Sequence, residues 1–106
     1  MDTPIRVYRG RTNVIEVELS HQIGDDVYTS DIRVGRHPTS LLIARWVVSV
    51  KPGAANQTLI LTLDDSVTAD IVQSGGYTDL KRVSGGEPYP VFDYPKPVVF
   101  LSSVTA

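Results

Sequence analysis

β-Branched residues restrict the fold of this sequence more than any other feature. Valine, isoleucine and threonine account for 15, 7 and 9 of its 106 residues, whereas alanine occurs only five times. A branched Cβ atom restricts side-chain rotation in a helix but packs well on a pleated sheet. The composition therefore predicts a mainly β protein. A chain of this length has room for one hydrophobic core, so we expect a single domain spanning residues 1–106.

Alternation of apolar and polar residues indicates where individual strands should lie. In residues 13–19, the side chains of Ile15, Val17 and Leu19 fall on one face, as in a strand with one side on a core. Residues 58–63 repeat this period of two, and their leucines are expected to point inward. Further short strands are predicted at residues 5–8, 32–34, 77–83 and 98–101.

The longest apolar run, Leu41–Val50, predicts a central strand that is covered on both faces, because both sets of alternating side chains are largely apolar. A run of this length also fits a buried helix. The β-branched residues near its end, and the Pro52-Gly53 turn that follows, favour the strand. We place Trp46 at the middle of the core and expect a hairpin with residues 58–63.

One short helix is predicted in residues 64–72. Asp64 and Asp65 can cap its N-terminus, and the apolar residues after them follow at helical spacing: Val67, Ile71 and Val72. Residues 87–97 contain four prolines, which cannot donate backbone hydrogen bonds, so this segment should be an edge or a loop. About seven short strands with frequent turns, together with one helical turn, favour an all-β antiparallel sandwich.

Charge and cysteine content exclude several functional classes. Twelve acidic residues outnumber ten basic ones, which argues against a nucleic-acid binder because phosphate binding needs a basic face. The absence of cysteine excludes disulfides, thiol nucleophiles and thiolate metal sites. No apolar run approaches the ~20 residues of a membrane span, and the first residues lack the pattern of a signal peptide. We therefore expect neither a membrane partner nor a secretory leader.

Motifs typical of enzymes are missing. The sequence contains no standard phosphate-binding loop, zinc-binding histidine pair or nucleophile elbow. His21 and His37 fall on predicted loops, and helix capping explains Asp64 and Asp65 better than calcium binding does. Tyr77 is expected to act as a tyrosine corner that supports the fold. The sequence thus predicts no enzyme, with no catalytic, cofactor-binding or metal-binding residues.

The aromatic residues of the proline-rich segment are more informative. Tyr89, Phe92 and Tyr94 lie between Pro88 and Pro97. Rings on a proline-stiffened segment present contact area at little entropic cost, which suits a docking surface. The alternative is that the rings fold back on the edge of the sandwich, and the sequence leaves both interpretations open.

Short motifs follow one another along the chain in this order: Ile5–Gly10, Val14–Leu19, Leu59–Leu63, Thr68-Ala69, Gly76–Leu80, and Val98–Phe100 continuing to Val104-Thr105. Their order and spacing resemble the small immunoglobulin-like modules of tailed-phage virions, which occur in upper-baseplate, tail, neck and fibre-associated proteins. The likeness spans nearly the whole chain. It departs in residues 87–97, which are longer and richer in proline and aromatic residues than the usual short hairpin of these modules.

The resemblance implies an immunoglobulin-like β-sandwich that is a non-enzymatic structural protein of a bacteriophage virion. Such a protein would be made in the host cytoplasm and would act as an adaptor in the tail, baseplate or neck. Its partners would be other virion proteins, in several symmetry-related copies. Alternatives are a carbohydrate or host-receptor binding module that uses Tyr89, Asp93 and Tyr94, and a capsid decoration protein. On the adaptor hypothesis the interface residues are Arg6, Arg9, Arg11, Tyr89, Phe92 and Tyr94.

Overall fold

Strands dominate the computed structural model, which describes residues 3–19, 23, 26–53, 57–92 and 94–102. The predicted all-β class with one short helix is confirmed. His21, Asp93 and the Val104-Thr105 motif lie outside the described residues. The elements of the described part are β1 (Ile5–Tyr8), β2 (Asn13–Glu18), β3 (Val27–Arg33), β4 (Leu42–Val50), β5 (Thr58–Leu63), α1 (Asp65–Ala69), β6 (Gly75–Thr78), β7 (Lys81–Ser84), β8 (Glu87–Pro90) and β9 (Lys96–Leu101).

All of these strands belong to one connected sheet. Seven strands follow the order β1-β9-β6-β3-β4-β5-β2, and β7 and β8 branch off from β3. The first half of β3 pairs with β7 and its second half with β6. In the same way β4 pairs with β3 and then with β5. Because β3 and β4 each change partner along their length, the sheet curls until it is nearly a barrel.

A side chain joins the two ends of this curled sheet. Asn13, the first residue of β2, is buried, and its Oδ1 accepts a hydrogen bond from the Tyr8 N–H at 2.9 Å. Its Nδ2 donates to the Tyr8 carbonyl at 2.9 Å. The amide side chain supplies one acceptor and one donor, as the backbone of a neighbouring strand would. Asn13 therefore links β1 to β2.

Two features of the strands differ from the prediction. β1 and β9 pair in parallel, whereas the other pairs are antiparallel. These two strands come from distant parts of the chain, so no tight hairpin makes them antiparallel. The described residues also form nine strands rather than about seven. The predicted strand 77–83 is divided at Asp79-Leu80, and residues 87–90 add an edge strand.

Trp46 lies at the centre of the core, as predicted, and is only 2% exposed. The leucines of β5 surround it from the neighbouring strand and are almost completely buried. Its Nε1 donates to the Thr78 Oγ1 at 3.2 Å, and that hydroxyl donates to the Asp31 carbonyl at 3.0 Å. Among the described residues, every buried side-chain polar atom has a hydrogen-bond partner. The core is therefore mainly apolar, and the polar groups next to the indole are satisfied.

The prediction that the strand at Leu41–Val50 is covered on both faces is wrong. On the outer face Val47 is 65% exposed. A register shift pairs Ile32 with Ala44 but Arg33 with Leu42, which leaves Ile43 as an extra residue that packs on the core. This bulge breaks the alternation, so Leu42 is exposed although the period of two placed it inside. The apolar run therefore corresponds to a strand with one buried face and a bulge.

The predicted helix is present as α1, but a different residue anchors it. Val67 and Val72 are exposed, and the buried helical residue is Thr68, whose Oγ1 donates to the Arg11 carbonyl at 2.7 Å. Asp64 occupies the N-cap position without a side-chain capping hydrogen bond. With five residues, α1 completes fewer than two turns, and Val72 lies beyond its end, so the helical spacing of residues 67–72 does not govern which side chains face inward. No helix in the described ranges is long and apolar enough to cross a membrane.

Candidate docking groove

An open groove of about 410 Å³ lies where the β7–β8 hairpin meets the loop that follows β3. Arg36 and His37 line it from that loop, and Tyr77 lines it from β6. Tyr89 and Phe92 form part of the opposite wall, together with three prolines of the same segment. The groove thus combines rings, prolines and charged groups from parts of the chain that are far apart in sequence.

The β7–β8 hairpin is a stiff wall. Gly85 and Gly86 form its turn and both have positive φ angles, 58° and 83°, a conformation that glycine adopts without steric cost. Ser84 pairs with Glu87 across this two-residue turn. The geometry puts Glu87 and Tyr89 at the hydrogen-bonding positions, so Pro88 and Pro90 occupy the alternate positions, where a missing N–H costs nothing. Residues 87–90 thus form the predicted edge, whereas Lys96 and Pro97 at the end of the segment belong to β9, which pairs with β6 and β1.

Cations of the chain lie over three of the groove's rings. The Arg36 guanidinium is 4.8 Å from the centroid of the Tyr77 ring, and that of Arg82 is 5.8 Å from the Tyr89 ring. The Lys96 ammonium is 5.1 Å from the Phe92 ring. Each contact of this kind stabilises by about 0.5–1 kcal/mol at an exposed site. The cations therefore hold the rings in place and cover one face of each.

The predicted interface rings differ in their surroundings. Tyr89 is 48% exposed on the groove, whereas Tyr94 is 74% exposed and does not line it. Phe92 lines the groove and also packs against the core together with Val91. Phe92 thus agrees in part with the interpretation that the rings fold back on the edge. Tyr89 and Phe92 are the two predicted aromatic residues that the structure brings together in the groove.

The predicted arginine cluster lies away from the groove. Arg6 and Arg11 are exposed, and the Arg11 guanidinium is 5.7 Å from the centroid of the Tyr8 ring. Arg9 is turned inward: its Nε donates to the Ile71 carbonyl at 3.0 Å and its Nη1 to the Phe100 carbonyl at 3.3 Å. Its Nη2 donates to the Gln73 carbonyl. Arg9 therefore ties the segment after α1 to β9.

Asp31 of the groove is paired with two arginines, whereas Asp79 is held only by one backbone N–H within the described part of the chain. The Asp31 Oδ1 accepts from the Arg45 Nε at 2.6 Å, and its Oδ2 accepts from the Arg33 Nη2 at 3.2 Å. The Asp79 Oδ1 accepts from the Asp31 N–H at 3.2 Å. Burial by itself raises the pKa of the Asp31 carboxyl, but the hydrogen bonds and charges of Arg45 and Arg33 outweigh it. The net result is a pKa below the usual value for this carboxyl.

This lowered pKa predicts how stability depends on pH. A carboxyl with a depressed folded-state pKa stabilises the fold above its unfolded-state pKa, and that contribution disappears as the pH falls through the folded-state pKa. We expect Asp31→Asn to lower the free energy of unfolding at pH 7 by about 1–2 kcal/mol, with the difference from wild type shrinking below about pH 4. Urea unfolding at a series of pH values measures this. Asp65→Asn, at an exposed helix position, is the control, and a difference that stays constant down to pH 2 would contradict the assignment.

Catalytic geometry is not assembled in the groove. His37 and Asp79 both line it, but no hydrogen bond joins them. The His37 Nδ1 accepts from the Thr39 N–H at 3.2 Å. Tyr77 does not form the predicted tyrosine corner: its hydroxyl makes no hydrogen bond to a described residue, and its ring lies beneath Arg36. Among the described residues, no group of three or more histidine, aspartate or glutamate side chains could hold a metal ion.

Sequence reasoning found the aromatic wall but missed two cations that also line the groove, Arg36 on the loop after β3 and Lys81 on β7. Only the fold brings Arg36 to the rings. No model of a known protein family matches the sequence, and no curated protein matches it with significant similarity. The chemistry of the groove itself therefore carries the argument about function.

Proposed function

We propose that this protein is a non-enzymatic structural adaptor of a bacteriophage virion, an immunoglobulin-like module of the tail, baseplate or neck that docks on another virion protein. The order of its sequence motifs supports the virion assignment. A tryptophan buried at the centre of the core supports the immunoglobulin-like classification, because sandwiches of that kind place one there. The observation that carries the docking function is the groove, with its aromatic and proline-rich wall.

The wall has the composition and rigidity of a protein-binding surface. Interfaces are enriched in tyrosine, phenylalanine and arginine, and their strongest contacts are rings seated in desolvated pockets. Tyr89 and Phe92 supply such rings, and the tight turn and flanking prolines hold the segment before a partner arrives. Little conformational entropy is then lost on binding. An adaptor needs this kind of preformed surface.

The same contacts favour docking over catalysis and over sugar binding. Asp31 is held by two arginines, so it is a poor general base. A cation covers one face of Tyr77, Tyr89 and Phe92, so a sugar could stack only on the opposite face of each ring, and the paired carboxylate of Asp31 is a poor acceptor for its hydroxyl groups. A capsid decoration protein would use the same surface at a different place in the particle. We therefore keep the adaptor as the proposal.

Removing the rings should weaken assembly. We expect Tyr89→Ala to weaken binding to the particle by about tenfold, the effect of losing one contact worth about 1.4 kcal/mol at an interface, and so to lower the number of copies per particle. Phe92→Ala should have at least this effect. The measurement is quantitative mass spectrometry of purified particles that were assembled in cells expressing the variant. Val72→Ala, at an 86% exposed site outside the groove, should leave incorporation unchanged.

Folding and docking are separated by a second measurement. Phe92 also packs on the core, so its variant needs a thermal melt of the purified protein beside the incorporation assay. Tyr89 is about half exposed, and its replacement, which also removes the contact with Arg82, should change stability by no more than about 1 kcal/mol. Normal incorporation of a stable Tyr89→Ala, Phe92→Ala double variant would overturn docking through the groove. Specific binding of the purified protein to a glycan array would favour the carbohydrate-binding alternative.

A further inference from the structure

We propose that the segment bound in the groove is an extended, proline-containing peptide of the partner with an acidic side chain that is held between Arg36 and Lys81. The inference rests on the proposed docking function and adds the chemical class of the ligand. It follows from which charges in the groove are occupied, from how Arg36 is held, and from what the walls offer to a ligand.

Some charged groups of the groove are paired with other groups of the chain, and others are not. Asp31 is neutralised by Arg33 and Arg45, and Arg33 also donates to the Ser40 carbonyl at 2.9 Å. Arg36 and Lys81 are exposed, and neither has a carboxylate partner among the described residues. Asp79 also lines the groove and its carboxylate accepts only the Asp31 N–H, so within the described ranges two cations and one carboxylate have no ion-pair partner and the unpaired charge is on balance positive. A ligand with a carboxylate complements the two cations.

Arg36 is held in an orientation that suits a carboxylate. Its guanidinium lies 4.8 Å from the Tyr77 ring centroid, and this contact over the ring face restricts the side chain. The N–H groups at the edge of a guanidinium match the two oxygens of a carboxylate in a bidentate pair. His37 follows Arg36 in the chain and also lines the groove, and its Nδ1 accepts from the Thr39 N–H.

The remaining walls suit an extended peptide better than a sugar. Pro88, Pro90 and Pro95 offer apolar contact and no backbone N–H. Proline-containing segments in the extended polyproline conformation dock in grooves lined by aromatic residues, and their stiffness lowers the entropic cost of binding. A volume of about 410 Å³ is in the range of ligand sites. A sugar would need many hydrogen-bond acceptors, whereas the carboxylate of Asp31 is already taken.

Binding of defined peptides to the full-length protein tests the inference. One probe is an acetylated and amidated heptapeptide of alternating proline and alanine with a central glutamate, and the second has glutamine at the centre. NMR titration of the ¹⁵N-labelled protein yields both dissociation constants. We expect the glutamate peptide to bind at least tenfold more tightly and to shift the amide signals of groove residues. Arg36→Gln should abolish this preference, whereas Arg6→Gln, which removes an exposed cation outside the groove, should preserve it.

Each outcome separates the ligand class from the docking function. Equal binding of the two peptides, or no binding of either at millimolar concentration, would overturn the acidic-peptide assignment, whatever the Tyr89→Ala incorporation result. Binding of free glutarate as tight as that of the glutamate peptide would also overturn it, because the site would then recognise a small dicarboxylate. A glutamate preference that depends on Arg36 supports the ligand class even if incorporation into particles is unaffected. In that case only the virion function fails.

Discussion

Replacing Trp46 with alanine should lower the free energy of unfolding by about 3–5 kcal/mol, the usual cost of deleting a large buried ring. The indole is 2% exposed, and its loss leaves a cavity beside the leucines of β5. It also removes the Nε1 donor from Thr78 Oγ1, a buried hydroxyl. Domains of this size are stable by about 5–15 kcal/mol, so the variant should lose a large share of its stability. Urea unfolding followed by circular dichroism measures the change.

The neighbouring residue is a matched control. Val47 is adjacent on β4 but points to the opposite face, where it is 65% exposed. Val47→Ala should change the free energy of unfolding by no more than about 0.5 kcal/mol. Trp46→Phe keeps most of the apolar volume but loses the Nε1 donor. Its loss in free energy of unfolding should therefore lie between those of Trp46→Ala and Val47→Ala. Equal losses for Trp46→Ala and Val47→Ala would show that the two faces of β4 are not distinguished as described.

The contrast between the faces of β4 also explains how far the sequence could predict the fold. A period of two reports that one side of a strand is buried, and it located β2 and β5 correctly. An apolar residue on the other side does not show that this side is also buried, because folded proteins expose much apolar surface. Val47 is such a residue. The bulge at Ile43 was hidden for a related reason, since it depends on register with β3.

The division between β6 and β7 was unpredictable from the sequence for a similar reason. Residues 77–83 form one apolar and polar pattern, which fits a single strand. In the fold, both β6 and β7 pair with β3, but at different parts of it. Leu80 enters the core between them and is 1% exposed. A change of pairing partner is decided by tertiary contacts, and local pattern does not encode it.

Only the aromatic and proline-rich wall of the groove could be predicted from the sequence. The clustering of rings and prolines in residues 87–97 is local, so the sequence displays it directly. Arg36 and Tyr77 meet that wall only because β6 pairs with the end of β3, which brings their loop and strand together. Which ring is exposed and which packs on the core also depends on the fold. Charge complementarity in the groove therefore required the structure.

Arg9 gives the second large prediction. Arg9→Ala should lower the free energy of unfolding by about 2–4 kcal/mol, because a hydrogen bond from a charged donor contributes about 1.5–3 kcal/mol and water recovers part of the loss. Its guanidinium donates hydrogen bonds to the carbonyls of Ile71 and Gln73, in the segment after α1, and to that of Phe100 in β9. Removing it deletes the three hydrogen bonds through which Arg9 joins these two parts. Urea unfolding of the purified variant measures the loss.

Two further variants decide whether Arg9 stabilises the fold or binds a partner. Arg6→Ala removes an exposed arginine of the same predicted cluster and should change stability by no more than about 0.5 kcal/mol. Arg9→Lys keeps the charge but loses the planar fork that reaches several carbonyls, so it should recover only a small part of the stability. An Arg9→Ala protein of unchanged stability would show that these hydrogen bonds contribute little. If that stable variant also failed to enter particles, Arg9 would belong to the interface, as the sequence first predicted.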